Sequence, residues 1–330
     1  MTEQQKNIMT LNVPAELAGK RIDQVIAQCL SDYSRSRIQQ WFKSNHIFLD
    51  GENPKPKEKV WGGELIEIHL QDAMADVVDE RWDPQEIPLN IIYEDESVIV
   101  INKPAGLVVH PGAGNMDGTM VNALLHHAPE LVQIPRAGVI HRLDKDTSGI
   151  LVVTRTLSSH NKLTQQLQAR EFNREYQAFV LGVMTAGGTI DEPIGRHPTH
   201  RTRMAVLKHG SSAKEAITHY RVEHRYRAHT LVNVKLETGR THQIRVHMAH
   251  IKYPIVGDPV YAGRSRIPPN SSQEFIDKLR EFKRQALHAR TLGFIHPETD
   301  EYVEWTVEMP EDMQDLRALL EEDQKSHDDQ

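Results

Sequence analysis

The most informative stretch of the sequence is a polar turn at residues 141–146, which lies between two short apolar segments. The side chains in it that can do chemistry are His141, Arg142, Asp144, Lys145 and Asp146. Apolar segments on both sides hold such a turn at the edge of a core, where a scaffold positions catalytic groups. A carboxylate beside guanidinium and ammonium groups stays ionised, so Asp144 and Asp146 are candidates for a nucleophile or a base. Composition alone favours a solvated turn with surface ion pairs, and a second cluster is what favours a functional site.

The second cluster covers residues 237–248 and follows an alternating segment that predicts a strand. Gly239 is a typical strand-ending residue, and Thr241 can cap a helix that begins directly after it. We expect that helix to carry Arg245 towards solvent or a cleft. Arg240 and Arg245 are therefore candidate partners for a distant carboxylate or for RNA phosphates.

A third segment predicts a strand that carries Tyr176 among charged neighbours. Together the three segments resemble the RluA family of pseudouridine synthases. The segments that match its motifs are residues 141–144, 174–176 and 239–247, with further matches at 101–114 and 256–261. The similarity spans nearly the whole chain, and no catalytic position departs from the pattern of the family.

The resemblance implies an enzyme that converts uridine in RNA to pseudouridine. That reaction breaks the N1–C1′ bond, turns the base and joins C5 to C1′. Because the product is an isomer, we expect no cofactor and no metal. The resemblance implies Asp144 as the catalytic carboxylate, acting on C1′ or on the 2′-proton, and Arg245 as the partner that keeps it ionised. It also implies that Tyr176, expected at a strand edge, stacks on the uracil and helps to move the C5 proton.

The resemblance also implies how RNA binds. The target base must leave its stack before a carboxylate can reach C1′, and Arg142 is expected to fill the hole. Lys145 and Arg240 are expected to contact phosphates, and His141 to orient the turn by hydrogen bonds. Closeness to one branch of the family implies uridines of the large-subunit (23S) ribosomal RNA, in the helix 69 stem-loop. The partner is then this RNA, free or in a pre-ribosomal particle.

Charge and cysteine content are consistent with such a partner. The net charge is −7, but residues 196–252 hold twelve Lys or Arg and only three Glu. A basic face with acidic edges binds phosphates locally without general adhesion to polyanions. A single cysteine, Cys29, excludes an internal disulfide framework and fits a reducing compartment. With no signal peptide and no apolar span, we expect a cytoplasmic protein without membrane contact, and a monomer by default.

The N-terminal part of the sequence predicts a small separate domain. Its pattern predicts two helices, a strand that meets an Asp50-Gly51 turn, and a last strand. The second helix leaves Arg35, Arg37 and Lys43 available for RNA, and the arrangement resembles an S4 RNA-binding module. The predicted divisions are a flexible arm at 1–16, the S4-like domain at 17–75, an acidic linker at 76–88 and the catalytic domain at 89–325.

The catalytic part predicts the α+β class, with a mixed, largely antiparallel sheet. Its strands occur in hairpin-like series with interspersed helices, which is typical of that class. The resemblance implies the pseudouridine synthase fold. Besides the Arg245 helix, helices are predicted at residues 119–127, 158–170 and 312–322.

Three alternative functions are less consistent with the sequence. The glycine run at residues 112–114 lacks the spacing and the repeated βαβ units of a dinucleotide site. His242, His247 and His250 lack the usual spacing of a zinc site. The stronger competitor is a non-enzymatic RNA-binding ribosome-assembly factor, although a pure binder needs no joint set of carboxylate, tyrosine and arginine.

Overall fold

The computed structural model describes residues 8–30, 35–69, 82–112, 114–200, 203–207, 213–263 and 266–328, with only the backbone described at 35–37. The chain divides into two compact units, Met1–Arg81 and Trp82–Gln330. Within these described ranges, no helix combines the length and the apolar character needed to cross a membrane.

In its described residues, the N-terminal unit contains two α-helices, a short 3-10 helix at Ala15–Leu17 and a three-stranded antiparallel sheet in the order β1-β3-β2. Its elements are β1 Ile8–Asn12, α1 Ile22–Cys29, α2 Arg35–Lys43, β2 Ile47–Leu49 and β3 Leu65–His69. Both helices bury an apolar face against the sheet in one core, which contains Ile26, Trp41 and Ile66. Two helices and strands at the expected places agree with the pattern, and the role of this unit in RNA binding stays a prediction.

The flexible arm predicted for residues 1–16 is wrong for Ile8–Asn12. This segment forms β1 and pairs with β3, with Ile8 opposite His69 and Asn12 opposite Leu65. The side chains of Met9 and Leu11 pack against the core of the unit. Backbone pairing and this burial outweigh the polar composition of the surrounding sequence. Residues 1–7 lie outside the described residues.

The larger unit is organised around a nine-stranded sheet in the order β4-β5-β6-β13-β7-β12-β11-β8, with β14 also paired to β13. Its strands are β4 Ile91–Glu94, β5 Val98–Lys103, β6 Ser148–Thr154, β7 Asn173–Leu181, β8 Gly188–Asp191, β11 Ile217–Arg225, β12 His229–Leu236, β13 Leu287–Ile295 and β14 Tyr302–Thr306. Strands β9 Ile194–Arg196 and β10 Met204–Val206 form a separate pair. Only the β6–β13 pair of the large sheet is parallel. The predicted α+β class with a mixed, largely antiparallel sheet is therefore confirmed.

Five α-helices accompany this sheet in the described part of the larger unit: α3 Met120–His127, α4 Leu157–Ala169, α5 Gln243–His250, α6 Gln273–Glu281 and α7 Glu311–Asp328. Two short 3-10 segments, Pro129–Gln133 and Pro135–Gly138, follow α3. Thr119 caps α3, since its hydroxyl accepts a hydrogen bond from the N–H of Asn122. The helices predicted at 119–127, 158–170 and 312–322 are present to within a few residues, except that α7 continues to Asp328. Helix α6 was not predicted.

The acidic linker predicted for residues 76–88 is wrong from Trp82 onward. Trp82 packs against the main core of the larger unit. The N–H of Gln85 donates to the carbonyl of Asn122, and the amide of Asn122 donates to the carbonyl of Asp83 at 2.8 Å. These contacts hold the segment on α3, so it belongs to the larger unit. Residues 76–81 lie outside the described residues.

Candidate active site

The turn that carries Asp144 leads into β6, a fully buried strand inside the large sheet. Two cations hold its backbone. Lys103 Nζ donates to the carbonyl of Lys145 at 2.9 Å, and Arg284 Nη1 donates to the carbonyl of Asp146 at 3.1 Å. Burial lowers the pKa of Lys103 to about 7, against the opposing charges of Asp146 and Asp144. Neither cation was predicted, because a bond to a backbone carbonyl leaves no pattern of residue types in the sequence.

Arg245 joins two carboxylates from different parts of the chain. Its Nη1 donates to Asp144 Oδ2 at 2.9 Å, while its Nε and Nη2 donate to Asp258 at 2.7 and 3.0 Å. Burial by itself lowers the pKa of Arg245, but the hydrogen bonds and charges of Asp258 and Asp144 outweigh it and raise that pKa above its ordinary value. The guanidinium is therefore a permanent charge whose planar fork fixes the position of Asp144.

Asp258 is a site residue that sequence reasoning missed. Its side chain is completely buried, and its Oδ1 also accepts hydrogen bonds from the N–H groups of Val260 and Tyr261. A fully buried carboxylate requires such partners, because an unpaired charge in the interior is very costly. The signal was present, since residues 256–261 match a family motif, but nothing in that motif shows which distant side chain the carboxylate meets.

His242 and Tyr261 close the other side of Asp144. His242 Nε2 lies 3.9 Å from Asp144 Oδ2, and its Nδ1 is 2.8 Å from the hydroxyl of Tyr261. Burial lowers the pKa of His242 below its ordinary value, with Asp144 opposing the shift. The predicted cap at Thr241 is wrong, because the N-cap residue of α5 is His242. His242 has a left-handed φ of 58°, and its side chain makes no capping hydrogen bond. That conformation places the imidazole beside the carboxylate.

Tyr176 lies in the centre of the sheet, so its predicted position at a strand edge is wrong. Strand β7 is paired on both sides, with Tyr176 opposite Val234 of β12 and Ala289 of β13. The side chain is 8% exposed and lines the same cavity as Asp144. Burial raises the pKa of its phenol, so the hydroxyl stays protonated at neutral pH. A rigid ring with a protonated hydroxyl faces the space beside the carboxylate.

These side chains line an open cavity of about 600 Å³. Its wall includes the apolar side chains of Leu143, Leu236 and Ile244. Six arginines line it, namely Arg136, Arg142, Arg170, Arg174, Arg240 and Arg245, against the two carboxylates Asp144 and Glu237. A half-apolar cavity with an arginine-rich rim suits a flat, uncharged base attached to a polyanionic chain.

The predicted RNA-binding residues fall into three groups. Arg142 and Arg240 line the cavity, and Arg240 Nε also donates to the carbonyl of Glu215 at 2.9 Å. The Lys145 side chain is exposed and is not among the lining residues, and Lys43 is exposed at the last turn of α2 in the N-terminal unit. The side chains of Arg35 and Arg37 lie outside the described residues.

His141 has the orienting role that was expected of it, because its Nε2 accepts a hydrogen bond from the N–H of Val152 at 3.1 Å. Burial, and then the charge of Arg174, lower its pKa to about 3. A neutral ring that accepts a backbone hydrogen bond ties the turn to β6.

Two of the three histidines considered as metal ligands, His242 and His247, have other partners. His242 contacts Tyr261, and His247 contacts the Thr218 hydroxyl and the carbonyl of Glu192. In the part of the chain that the structure describes, no three His, Cys, Asp or Glu side chains come together as a metal would require.

Known proteins resemble this chain in both sequence and structure. The family model of the RNA pseudouridylate synthases matches residues 97–250. The chain is 52% identical over 324 residues to the ribosomal large subunit pseudouridine synthase D of Escherichia coli (strain K12), covering 98% of this chain and 97% of the relative. It is 53% identical over 315 residues to the protein of the same name in Pseudomonas aeruginosa, covering 95% of this chain and 96% of the relative.

A solved structure shows the same fold. Human RNA pseudouridylate synthase domain containing 4 superposes with a TM-score of 0.55 and 26% sequence identity, and the match covers 70% of this chain and 93% of the human chain. The predicted pseudouridine synthase fold is thereby confirmed.

Proposed function

Because this chain belongs to the RNA pseudouridylate synthase family, of the RluA type, we propose that it isomerises uridines of the large-subunit ribosomal RNA with Asp144 as its catalytic carboxylate. The enzyme class, an RNA pseudouridine synthase, follows from family membership. The observation that carries the proposal for the residue is the array Asp144–Arg245–Asp258 at the base of the cavity. The rRNA substrate is supported by the names of the relatives, which share about half of this sequence over nearly its full length.

The geometry supports a specific division of labour. Asp258 satisfies two of the Arg245 donors, so a third donor holds Asp144 in one rotamer with its free oxygen available. The carboxylate in that position either adds to C1′ or removes the 2′-proton, and the glycosidic bond to N1 breaks. After the base has turned, C5 joins C1′ while the carboxylate leaves C1′, or the 2′-proton returns to C2′. The C5 proton leaves and N1 gains a proton, so that atoms balance without a co-reactant.

Tyr176 is proposed to contact the uracil itself. Its ring lies in the cavity wall on a strand paired on both sides, which makes it a rigid stacking surface. Its protonated hydroxyl is a candidate to exchange a proton with the base while the C5 proton leaves. Arg142, exposed at the rim, is proposed to enter the RNA stack in place of the flipped base.

The finer substrate is proposed to be the helix 69 stem-loop of 23S RNA, in free RNA or in a pre-ribosomal particle. The two-helix N-terminal unit, with Lys43 exposed on α2, is proposed as an S4-like RNA-binding module that selects this target. Stem-loops are generally recognised by shape, splayed bases and phosphates, and the exposed Lys43 can contribute a phosphate contact. The protein is proposed to act in the cytoplasm as a monomer.

The competing assembly-factor function accounts less well for the site. A pure RNA binder does not need a buried array in which one arginine fixes a largely buried carboxylate, 17% exposed, at a cavity large enough for a base. Buried charges of this kind are costly and are retained where chemistry needs them.

The test is primer extension after carbodiimide treatment, which stops at pseudouridine. Large-subunit RNA from cells that lack this gene is incubated with wild type, Asp144→Asn or Asp146→Asn. We expect new stops in helix 69 with wild type and Asp146→Asn, and none with Asp144→Asn at unchanged RNA affinity. Stops that survive Asp144→Asn contradict the catalytic assignment, and stops outside helix 69 contradict the finer substrate. The absence of stops with RNA-binding wild type contradicts the rRNA substrate.

A further inference from the structure

The six arginines around the cavity differ in how their charge is used. Four of them are engaged within the protein: Arg170 with Glu215 and Glu237, Arg174 with the carbonyl of Glu237, Arg240 with the carbonyl of Glu215, and Arg245 with Asp144 and Asp258. The guanidinium groups of Arg136 and Arg142 form no hydrogen bond or ion pair with another described residue, and both side chains are exposed. The rim therefore has two free guanidinium groups on one side.

Arg136 lies in an unusual backbone conformation. Arg136 has φ 57° and ψ 33°, Ala137 has φ 51° and ψ 40°, and Gly138 has φ 78°. Left-handed conformation is unfavourable for residues that carry a Cβ, and here two of them adopt it in succession. Such strain persists where the surrounding structure imposes it, and it clusters at functional sites.

The surrounding structure imposes this turn at its glycine. A Cβ on Gly138 would lie 2.0 Å from the carbonyl oxygen of Thr154, so no other residue fits there. The hydroxyl of Thr154 donates to the carbonyl of Gly138 at 3.0 Å, and the next residue, Val139, pairs with Val153. The turn is thus fastened to β6, the strand that follows the Asp144 turn. Glycine accounts for position 138, but nothing in the packing requires an arginine at 136.

The electrostatic surroundings of Arg136 lack a negative partner. Partial burial, and after it the positive charge of Arg142, lower the pKa of Arg136. Both guanidinium groups stay charged at any physiological pH, so they repel each other in the free protein. An anion beside them removes that repulsion. A guanidinium offers a planar fork of donors that matches the oxygens of a phosphodiester.

We propose that Arg136 binds a backbone phosphate of the RNA next to the flipped nucleotide, and that the left-handed turn at residues 136–138 serves to present it. This inference rests on the proposed function and deepens it, since it names a phosphate contact of the same site. Because Arg136 and Asp144 are both fastened to β6, the contact fixes the RNA strand relative to the catalytic carboxylate. Arg136 is a binding and positioning residue; it takes no part in bond making or breaking.

The experiment measures the salt dependence of RNA binding by the full chain. All proteins carry Asp144→Asn, so that a helix 69 stem-loop is not converted during the titration. The protein with this substitution alone is compared with proteins that also carry Arg136→Gln, Arg136→Lys, Arg136→Gly or the control Arg280→Gln. Arg280 is exposed on α6, forms no ion pair with a described residue and does not line the cavity. Each lost phosphate contact lowers the slope of log K against log salt by about 0.7 to 0.9.

We expect Arg136→Gln and Arg136→Gly to weaken binding about five- to tenfold and to lower the slope by about one phosphate, while Arg136→Lys and Arg280→Gln keep the slope. We also expect Arg136→Gly to melt no lower than its parent, since glycine relieves the strain. Weaker binding with an unchanged slope, or unchanged binding, overturns the inference, and so does a large fall in the melting temperature of Arg136→Gly.

Failure of this inference is separable from failure of the proposed function. With Asp144 intact, wild type is assayed in parallel for pseudouridine in 23S RNA. Modification by wild type together with unchanged slopes in the Arg136 variants overturns only the phosphate contact. Lack of modification by wild type contradicts the rRNA substrate whatever the slopes are.

Discussion

The arginine at the floor of this cavity is paired with carboxylates, whereas two arginines at its rim are not. At the floor, the Arg245 side chain is 5% exposed and is bound by two carboxylates. At the rim, Arg136 and Arg142 are exposed and have no partner among the described residues. A charge removed from water needs a partner within the fold, whereas an exposed charge is solvated and remains free for a ligand. The difference separates the part of the site built for fixed geometry from the part built to receive a polyanion.

The largest effect on stability is expected when the buried ion pair between Arg245 and Asp258 is broken. Asp258→Asn leaves the buried Arg245 guanidinium with Asp144 alone, and we expect it to cost about 3 kcal/mol in the free energy of unfolding. Urea unfolding followed by circular dichroism measures this change. The control Glu321→Gln breaks an exposed pair on α7, between Arg317 and Glu321, and should cost less than about 0.5 kcal/mol. Equal effects of the two substitutions would contradict the distinction between buried and exposed charges.

The next largest effect concerns Tyr176 and the rate of reaction. Tyr176→Phe keeps the ring and its packing but removes the hydroxyl, so we expect single-turnover release of tritium from 5-tritiated uridine to slow about a hundredfold. RNA affinity should change little, because the rim is untouched. The control Tyr220→Phe removes a hydroxyl from β11, away from the cavity lining. A normal rate in Tyr176→Phe would limit Tyr176 to stacking.

Buried histidines make the stability of the fold depend on pH, whereas exposed ones do not contribute in this way. Burial lowers the pKa of His141 to about 3 and those of His110, His229 and His288 to about 4, while an unfolded histidine titrates near 6.5. Between about pH 6.5 and 4 the unfolded chain therefore binds protons that the folded chain does not. Stability is complete above about pH 6.5 and falls as the pH is lowered through this window, by up to about 1.4 kcal/mol per pH unit for each histidine.

The measurement is urea unfolding at several pH values between 8 and 4.5. His229 has no hydrogen-bond partner for either ring nitrogen, so His229→Leu removes the titration without breaking a described hydrogen bond. We expect the slope of stability against pH to decrease by about one proton in His229→Leu and to stay unchanged when the exposed His126 is replaced in His126→Gln. A flat profile in wild type would contradict the neutral state of these buried rings.

The smallest effect is expected at the partly engaged rim residue Arg240. Arg240→Gln removes a charge that lines the cavity and contacts only a backbone carbonyl among the described residues. We expect RNA binding to weaken about threefold, with a small decrease in the salt slope and no change in the single-turnover rate at saturating enzyme. A change in rate without a change in affinity would show that Arg240 acts in the reaction and not in RNA binding.

Local sequence patterns predicted most elements of the larger unit, because strands and helices there have clear apolar periods. They failed where long-range contacts decide. The pattern of Ile8–Asn12 predicts an arm, because its apolar residues become a strand only when β3 supplies hydrogen bonds. The pattern around Tyr176 does not show that its strand is central, because one segment does not reveal the order of strands in a sheet. Thr241 has the residue type of a helix cap, and the left-handed backbone at His242 has no signature in residue types.

The candidate site shows the same limit. The motifs predicted Asp144, Tyr176 and Arg245, and the structure places all three around one cavity with Asp144 bonded to Arg245. Their chemical roles stay predictions. Asp258 and Arg136 were not predicted. The importance of Asp258 depends on its burial against Arg245, and that of Arg136 on the lack of a described partner for its guanidinium group, and neither property is visible in the sequence.

By itself, the sequence determined which residue types are available for chemistry and which segments have the apolar periods of helices and strands. These properties depend on neighbours within a few residues. Only the tertiary structure decided that Asp144, 101 residues before Arg245, and Asp258, 13 residues after it, meet on one guanidinium. The physical reason is desolvation: once folding buries that charge, the free energy depends on which carboxylates three-dimensional packing brings within hydrogen-bond distance.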